Sequence, residues 1–329
     1  MSLLSLDFVQ RALIAAVLTG LAAPAIGTYL VQRRLALMGD GIGHVALTGV
    51  ALGVLTGWAP VWTAVVVAAA GAIAIELIRE RGRASADVAL AMLFYGGIAG
   101  GVLLIGLAGS TAATLNSYLF GSVTTVSATD LWVIAALAGV VLVLALGLRP
   151  QLFAVCQDEE FARVTGLRVR AYTVLIAVMA AVTVTVAMRT VGLLLVSALM
   201  VVPVATAQQL TRGFQSTLYV ALALGVAASA TGIVVSSYVD VAPGAAIVII
   251  ALIGFALMWP VGSLLRRRRL GTPIPETDER IAGGHVPAEQ HVHVHDEQCG
   301  HPGVPHDDHV DYLHEGHLHA QHGRHYDEH

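Results

Sequence analysis

Arg33-Arg34-Leu35-Ala36-Leu37-Met38-Gly39-Asp40-Gly41-Ile42-Gly43-His44 runs from two arginines into an apolar segment carrying a carboxylate and, four residues later, an imidazole. On a helix, residues four apart share one face, so Asp40 and His44 point the same way, as two metal ligands must. If the helix begins at Leu35, a rise of ~1.5 Å per residue puts Asp40 ~9 Å and His44 ~15 Å beyond Arg34. In a hydrocarbon core of ~30 Å, His44 then falls near the midplane, and no other charged side chain is expected as deep. An ionisable residue inside a bilayer costs at least ~2.5 kcal/mol and marks a transport path by default. Two plainer readings compete: Asp40 capping a helix and paired with Arg33 or Arg34, and His44 hydrogen-bonded between helices, for example to Thr48.

The surrounding chain supports a membrane setting. Of 329 residues, 56% are hydrophobic and 12% charged, about half the charge of a soluble protein. Apolar runs span Ala12–Val31, Leu35–Gly57, Val61–Ile78, Val88–Ala108, Leu131–Leu148, Ala171–Met188, Val191–Leu210, Thr217–Tyr238 and Ala242–Leu265. The fold class is therefore all-α and polytopic, with about nine transmembrane helices in a domain covering residues 1–265. Asp7 and Arg11 ahead of the first run favour a retained helix over a signal peptide.

Fourteen arginines, Arg33, Arg34, Arg79, Arg81, Arg83, Arg149, Arg163, Arg168, Arg170, Arg212 and Arg266 to Arg269, fall in loops on one side; Arg11 and Arg189 fall on the other. That bias places the N-terminus outside and the C-terminus in the cytoplasm. Thr111–Asp130 reads equally as an outer loop, a surface helix or a re-entrant segment. Small residues spaced by four, such as Gly49, Gly53 and Gly57 or Gly96 and Gly100, predict close helix packing. Pro24 and Pro203 predict interrupted helices.

All 18 cationic side chains are Arg. A Walker-type phosphate loop needs a Lys, so any ATP hydrolysis belongs to another subunit. Cys156 and Cys299 form no disulfide framework. No nucleic-acid partner is expected. The charged segment at residues 150–170, with Asp158, Glu159, Glu160, Ala162 and Gly166, offers a cytoplasmic docking element.

Residues 266–329 differ in kind. They hold thirteen of the fourteen histidines and twelve carboxylates, and are expected to be a disordered His-rich tail. His291, His293, His295, His317 and His319, in alternating runs, predict weak multi-site binding of Zn²⁺, Cu²⁺ or Ni²⁺. One Asp and one His do not complete a coordination sphere in the membrane domain. A second copy across a two-fold axis would give two carboxylates and two imidazoles, a set suited to Zn²⁺ or Mn²⁺.

Three stretches carry a family likeness: Arg33 to Leu47, Asp158-Glu159-Glu160-Phe161-Ala162 to Gly166, and Val191 to Ala207. The chain resembles the membrane subunit of bacterial ABC importers for zinc, manganese or iron, the ZnuB-like permeases, over roughly Leu6 to Leu265. The second stretch is similar to a Glu-Ala-Ala-x-x-x-Gly coupling signature, with Phe161 replacing the first Ala. The resemblance implies a homodimeric, multi-pass permease in the bacterial inner or plasma membrane. It implies a separate ATP-binding subunit on the cytoplasmic side and an extracellular solute-binding protein that delivers the ion. It also implies an ion site at Asp40 and His44, ATPase docking through Glu160, Ala162 and Gly166, no resident cofactor and no enzymatic activity of the chain itself. The His tail favours zinc, with manganese next. The alternatives are a secondary metal transporter or exporter with a His-rich cytoplasmic segment, and a non-transporting metal sensor acting through the tail.

Overall fold

The computed structural model describes residues 6–80, 86–109, 118–121, 127–188, 191–239, 241–270, 286–287, 300–306, 309–314, 317–322 and 325–328. Most of Thr111–Asp130, together with Arg81, Arg83, Arg189, His291, His293, His295 and Cys299, lies outside the described residues. The chain divides into a unit ending at Leu265 and a second beginning at Arg266.

In order, the helices are α1 (Asp7–Gln32), α2 (Met38–Thr56), α3 (Pro60–Glu80), α4 (Ala86–Leu107), α5 (Ala128–Gly147), α6 (Arg149–Gln157), α7 (Glu159–Val164), α8 (Val169–Met188), α9 (Leu193–Leu210), α10 (Phe214–Val239) and α11 (Pro243–Leu270). Among the described residues, eight helices are long and apolar enough to cross a membrane. The expected span Val191–Leu210 is the exception. Gly192 stands ahead of it at φ 89°, and a Cβ there would overlap the backbone of Phe120 and Gly121, so α9 starts late and is a shorter apolar helix. Asp130, expected at a loop end, sits inside α5 and completes a reciprocal capping box with Ser127.

The prolines do not break their helices: α1 runs through Pro24 and α9 through Pro203. In α1 the carbonyl that loses its helical donor to Pro24 is that of Gly20. Gly225 of α10 packs there, where an added Cβ would lie 2.3 Å from Gly20 O and 2.5 Å from Pro24 Cγ. The ring is accommodated because two glycines let α10 approach.

The second helix starts three residues later than the apolar run suggests. Arg34 adopts φ 60°, and Leu35 N–H bonds to Leu30 O at 2.8 Å, the 6→1 bond of a Schellman ending. Residues 34–37 therefore form a turn, and only Met38 onward rises as a helix. Counted from Met38, His44 is ~9 Å along α2 rather than ~15 Å beyond Arg34, about a third of the way through its 19 residues. Gly57 at φ 73° ends α2 in the left-handed conformation.

α2 is packed on several sides. Gly41 meets Leu93 of α4, Gly43 meets Leu193 of α9 and Val184 of α8, and Gly49 meets Thr63 and Ala64 of α3. The tightest backbone approach to α2 is at Gly97 of α4, where a Cβ would sit 2.5 Å from the carbonyl carbon of His44 and 2.6 Å from the nitrogen of Val45. Gly96, spaced by four from Gly100 in the sequence, faces open space.

In the second unit part of the tail expected to be disordered is described as strands, and the rest lies outside the described residues. Five short strands, β1 (Val286–Pro287), β2 (Gly303–His306), β3 (His309–His314), β4 (His317–His322) and β5 (His325–Glu328), form an antiparallel sheet in the order β1-β5-β4-β3-β2. Composition argued for a solvated coil, but segments such as His309-Val310-Asp311-Tyr312-Leu313-His314 carry β-branched and aromatic residues and are separated by two-residue connections. Hairpins need little more.

The glycine contacts yield a paired test. Gly97→Ala forces α4 away from the α2 backbone and should lower thermal stability in detergent by about 1–3 kcal/mol, as overpacking does. Gly96→Ala should leave the melting profile unchanged.

Candidate functional site

Asp40 lies in the first turn of α2, where the unpaired amide N–H groups favour a carboxylate. Its Oδ1 is 4.0 Å from His44 Nε2, so the i,i+4 pair is brought together on one face as expected. That spacing can be bridged by one ion with bonds of ~2.1 Å to each atom. The imidazole side chain is 8% exposed and the carboxylate 29%, so the pair opens on the Asp40 side. Phe94 of α4 stands edge-on to the imidazole, with centroids 4.4 Å apart, and fixes the ring plane. His44 Nδ1 is buried and makes no hydrogen bond among the described residues.

Two contacts that the plainer readings named are not formed: the His44–Thr48 bond and the Asp40–Arg33 pair. Thr48 donates instead to Gly97 O, at 2.7 Å, tying α2 to α4 beside the site. Arg33 turns away from Asp40 to carboxylates on other elements: its Nη2 is 2.5 Å from Glu159 Oε1 and 3.6 Å from Glu76 Oε1. Among residues with described side chains, no group of three or more His, Cys, Asp or Glu converges on a metal position. Asp40 and His44 are two candidate ligands.

The partners of Arg33 expose what sequence reasoning missed. Glu76 of α3 is 3% exposed and also binds Arg79 Nη2 at 2.5 Å, while Arg79 lies 3.7 Å from Glu159. Two arginines and two glutamates thus form a closed ring of charge joining the end of α1, the end of α3 and the start of α7. The signal was present: Glu76 and Arg79 stand at i,i+3 at the end of an apolar run, but they read as an ordinary helix terminus.

The docking element is built by its caps. Asp158 breaks the chain between α6 and α7, and its Oδ1 accepts from Glu160 N and Phe161 N, both at 2.9 Å. At the other end Leu167 N–H bonds to Ala162 O at 3.0 Å around Gly166 at φ 85°, a conformation any side chain would strain. Ala162 points inward against Val155 and Val169. Glu160 points outward, and so do Phe161, the departure from the signature, at 63% and Val164, which the sequence did not single out, at 86% exposure. Beside this helix is a recess of about 510 Å³ lined by Arg79, Arg163, Arg168 and Arg170 with Glu76 and Glu159, four cations against two anions. Behind it, burial pushes the Cys156 thiol up to about 12, so the group is a neutral packing residue rather than a nucleophile. Of the tail histidines, His317 and His319 fall in β4.

Comparison with known proteins places this arrangement. The profile of the ABC 3 transport family matches residues 5–260. A probable metal transport system membrane protein of Treponema pallidum is 35% identical over 81% of this chain and all of its own length. The manganese transport system membrane protein MntC of Halalkalibacterium halodurans is 37% identical over 78% of this chain and 87% of its own. The solved structure of PsaBC from Streptococcus pneumoniae in complex with Fab is 30% identical, with a TM-score of 0.73, and covers 81% of this chain and 97% of that one. The chain belongs to the ABC 3 transport family. It is a multi-pass permease of the cell membrane in a metal ABC transport system, a transport component and not an enzyme.

The ring of charge predicts a cost for opening it. Glu76→Ala leaves the buried Arg33 and the partly exposed Arg79 sharing one partly exposed carboxylate, and should destabilise the folded permease by about 3 kcal/mol, as removing one partner of a buried pair does. A thermal-shift comparison with Asp130→Ala, which removes only an exposed cap, would separate the two effects. Equal shifts would mean that the ring contributes no more than a surface contact.

Proposed function

We propose that this chain is the translocating subunit of an importer for a divalent transition-metal ion, zinc first and manganese next, with Asp40 and His44 as its ion ligands. The single observation carrying this reading is the pair itself: a carboxylate and a buried imidazole 4.0 Å apart on the packed face of α2. Carboxylate oxygen and neutral imidazole nitrogen form a donor set for Zn²⁺ or Mn²⁺. A second copy of the chain would supply the remaining two ligands about a two-fold axis. A sphere shared between subunits loosens when the subunits move apart, which is what release requires.

The same reading gives α7 to a cytoplasmic ATP-binding subunit and the opposite face to a solute-binding protein. Phe161 and Val164 present apolar surface at the tip, and the recess beside them is net positive, so the partner should present apolar residues rimmed by carboxylates. The arginine asymmetry sets α7 and the tail in the cytoplasm and the N-terminus outside. Zinc is preferred on account of the tail; the relative from Halalkalibacterium halodurans is named for manganese.

Asp40→Ala and His44→Ala should each abolish accumulation of metal while leaving the amount of folded permease in the membrane unchanged. Metal analysis of cells starved of zinc or of manganese would read both the loss and the ion. Uptake persisting in both variants would overturn the site.

Val164→Asp should uncouple the system through α7, cutting transport-linked ATP turnover of the assembled complex at least tenfold with the permease still folded. Unchanged turnover would remove α7 from the docking surface.

A further inference from the structure

A neutral imidazole that ligates through Nε2 carries its proton on Nδ1. In metal sites that second nitrogen almost always donates to a carboxylate, a carbonyl or water, which fixes the tautomer and the ring orientation. His44 departs from this pattern. Its Nε2 faces Asp40 at 4.0 Å, while Nδ1 is buried and has no acceptor among the described residues. The carbonyl of Gly97, whose backbone packs on that of His44, accepts instead from Thr48 at 2.7 Å. Among the described residues, no hydrogen bond holds this ring in place.

An aromatic contact does so. The rings of Phe94 and His44 stand at 76° with centroids 4.4 Å apart, the edge-to-face arrangement that aromatic pairs prefer. Turning the imidazole towards parallel would exchange this contact for a face-to-face overlap, the poorer arrangement. Phe94 is itself held. It lies three residues before Gly97 on α4, so the two share a helix face. Gly97 rests on the backbone of His44 and Val45, and Leu93 packs at Gly41, the residue after Asp40. Phe94, half-buried between these contacts, cannot withdraw without lifting α4 from α2.

Taking His44 as an ion ligand, the reading on which this rests, we propose that Phe94 is its positioning residue. The ring on α4 holds the imidazole plane, and so the direction of Nε2, in place of the hydrogen-bond acceptor that supports the imidazole of a resident metal site. Phe94 has no donor atom for an ion and acts only through His44. A ring held by packing is aimed without the electron density that a carboxylate on Nδ1–H lends to a bound imidazole. Such a ligand meets the ion in a set direction and lets it go more readily.

The test uses the full chain in detergent with its histidine ring carbons labelled. The signal that vanishes in His44→Ala reports this imidazole alone. Carbon relaxation of that signal reads the order of the ring, and its broadening by added Mn²⁺ reads occupancy at the pair, separately from the histidines of the tail. Phe94→Leu should lower the ring order and raise the Mn²⁺ midpoint about tenfold, the lower end of what losing a supporting partner costs a metal site. Phe94→Met, apolar but of a different shape, should do the same, which separates loss of the ring from a packing fault peculiar to Leu. Phe94→Tyr keeps the ring and should restore both values. A role in packing alone would change the melting temperature and leave ring order and midpoint in the folded protein as they were. If Mn²⁺ broadens the parent signal but neither Phe94→Leu nor Phe94→Met alters ring order or midpoint, His44 stays a ligand and Phe94 is not its positioning residue. If Mn²⁺ leaves the parent signal untouched, the ligand reading falls and takes the role of Phe94 with it.

Discussion

The site depends on one contact: the backbone of α4 at Gly97 lies directly on the backbone of α2 at His44 and Val45. In a membrane the hydrophobic effect does not drive helices together, so close packing and interhelical hydrogen bonds must do so. Gly97 supplies both, first through its missing side chain and then through its carbonyl, which accepts from Thr48. The approach brings Phe94 against the imidazole and covers His44, while Asp40, one turn nearer the helix start, stays partly open. The asymmetry of exposure in the pair follows from where the two helices touch.

The start of α2 is fixed by a different force. α1 ends with Arg34 in a left-handed conformation, and the preceding residue, Arg33, is held by Glu76 and Glu159. Four residues, Arg34 to Leu37, lie between that charge ring and the start of α2 at Met38. The turn bearing the two arginines is thus tied at once to the body of the membrane domain, through α3, and to the exposed helix α7. A push on α7 has a short covalent and ionic route to Asp40. The ring therefore ties α7 to the ends of α1 and α3, beside the turn that leads into α2.

Much of this was legible in the residues. Apolar runs gave the helices, and the spacing of Asp40 and His44 gave the pair. Asp158 and Gly166 marked the two ends of α7 because caps are local chemistry. The misses were non-local or conformational. Arg34 is neither Gly nor Asn, so nothing announced its positive φ, and the start of α2 was set too early. Pro24 was expected to break α1, whereas Gly20 and Gly225, more than two hundred residues apart, make room for it. Glu76 looked like a terminal charge until its partners on α1 and α7 were known. Val164 stood out only once exposure was seen. In the tail, a composition poor in apolar residues hid a pattern of period two with an eight-residue hairpin repeat.

A site through which an ion passes and a site where an ion is kept make opposite demands on their ligands. Affinity that grows with every added donor becomes a barrier to release, so a pathway is better served by few ligands on elements that move relative to one another. Under the proposed reading, Asp40 and His44, two donors on one helix packed by glycines, have that form.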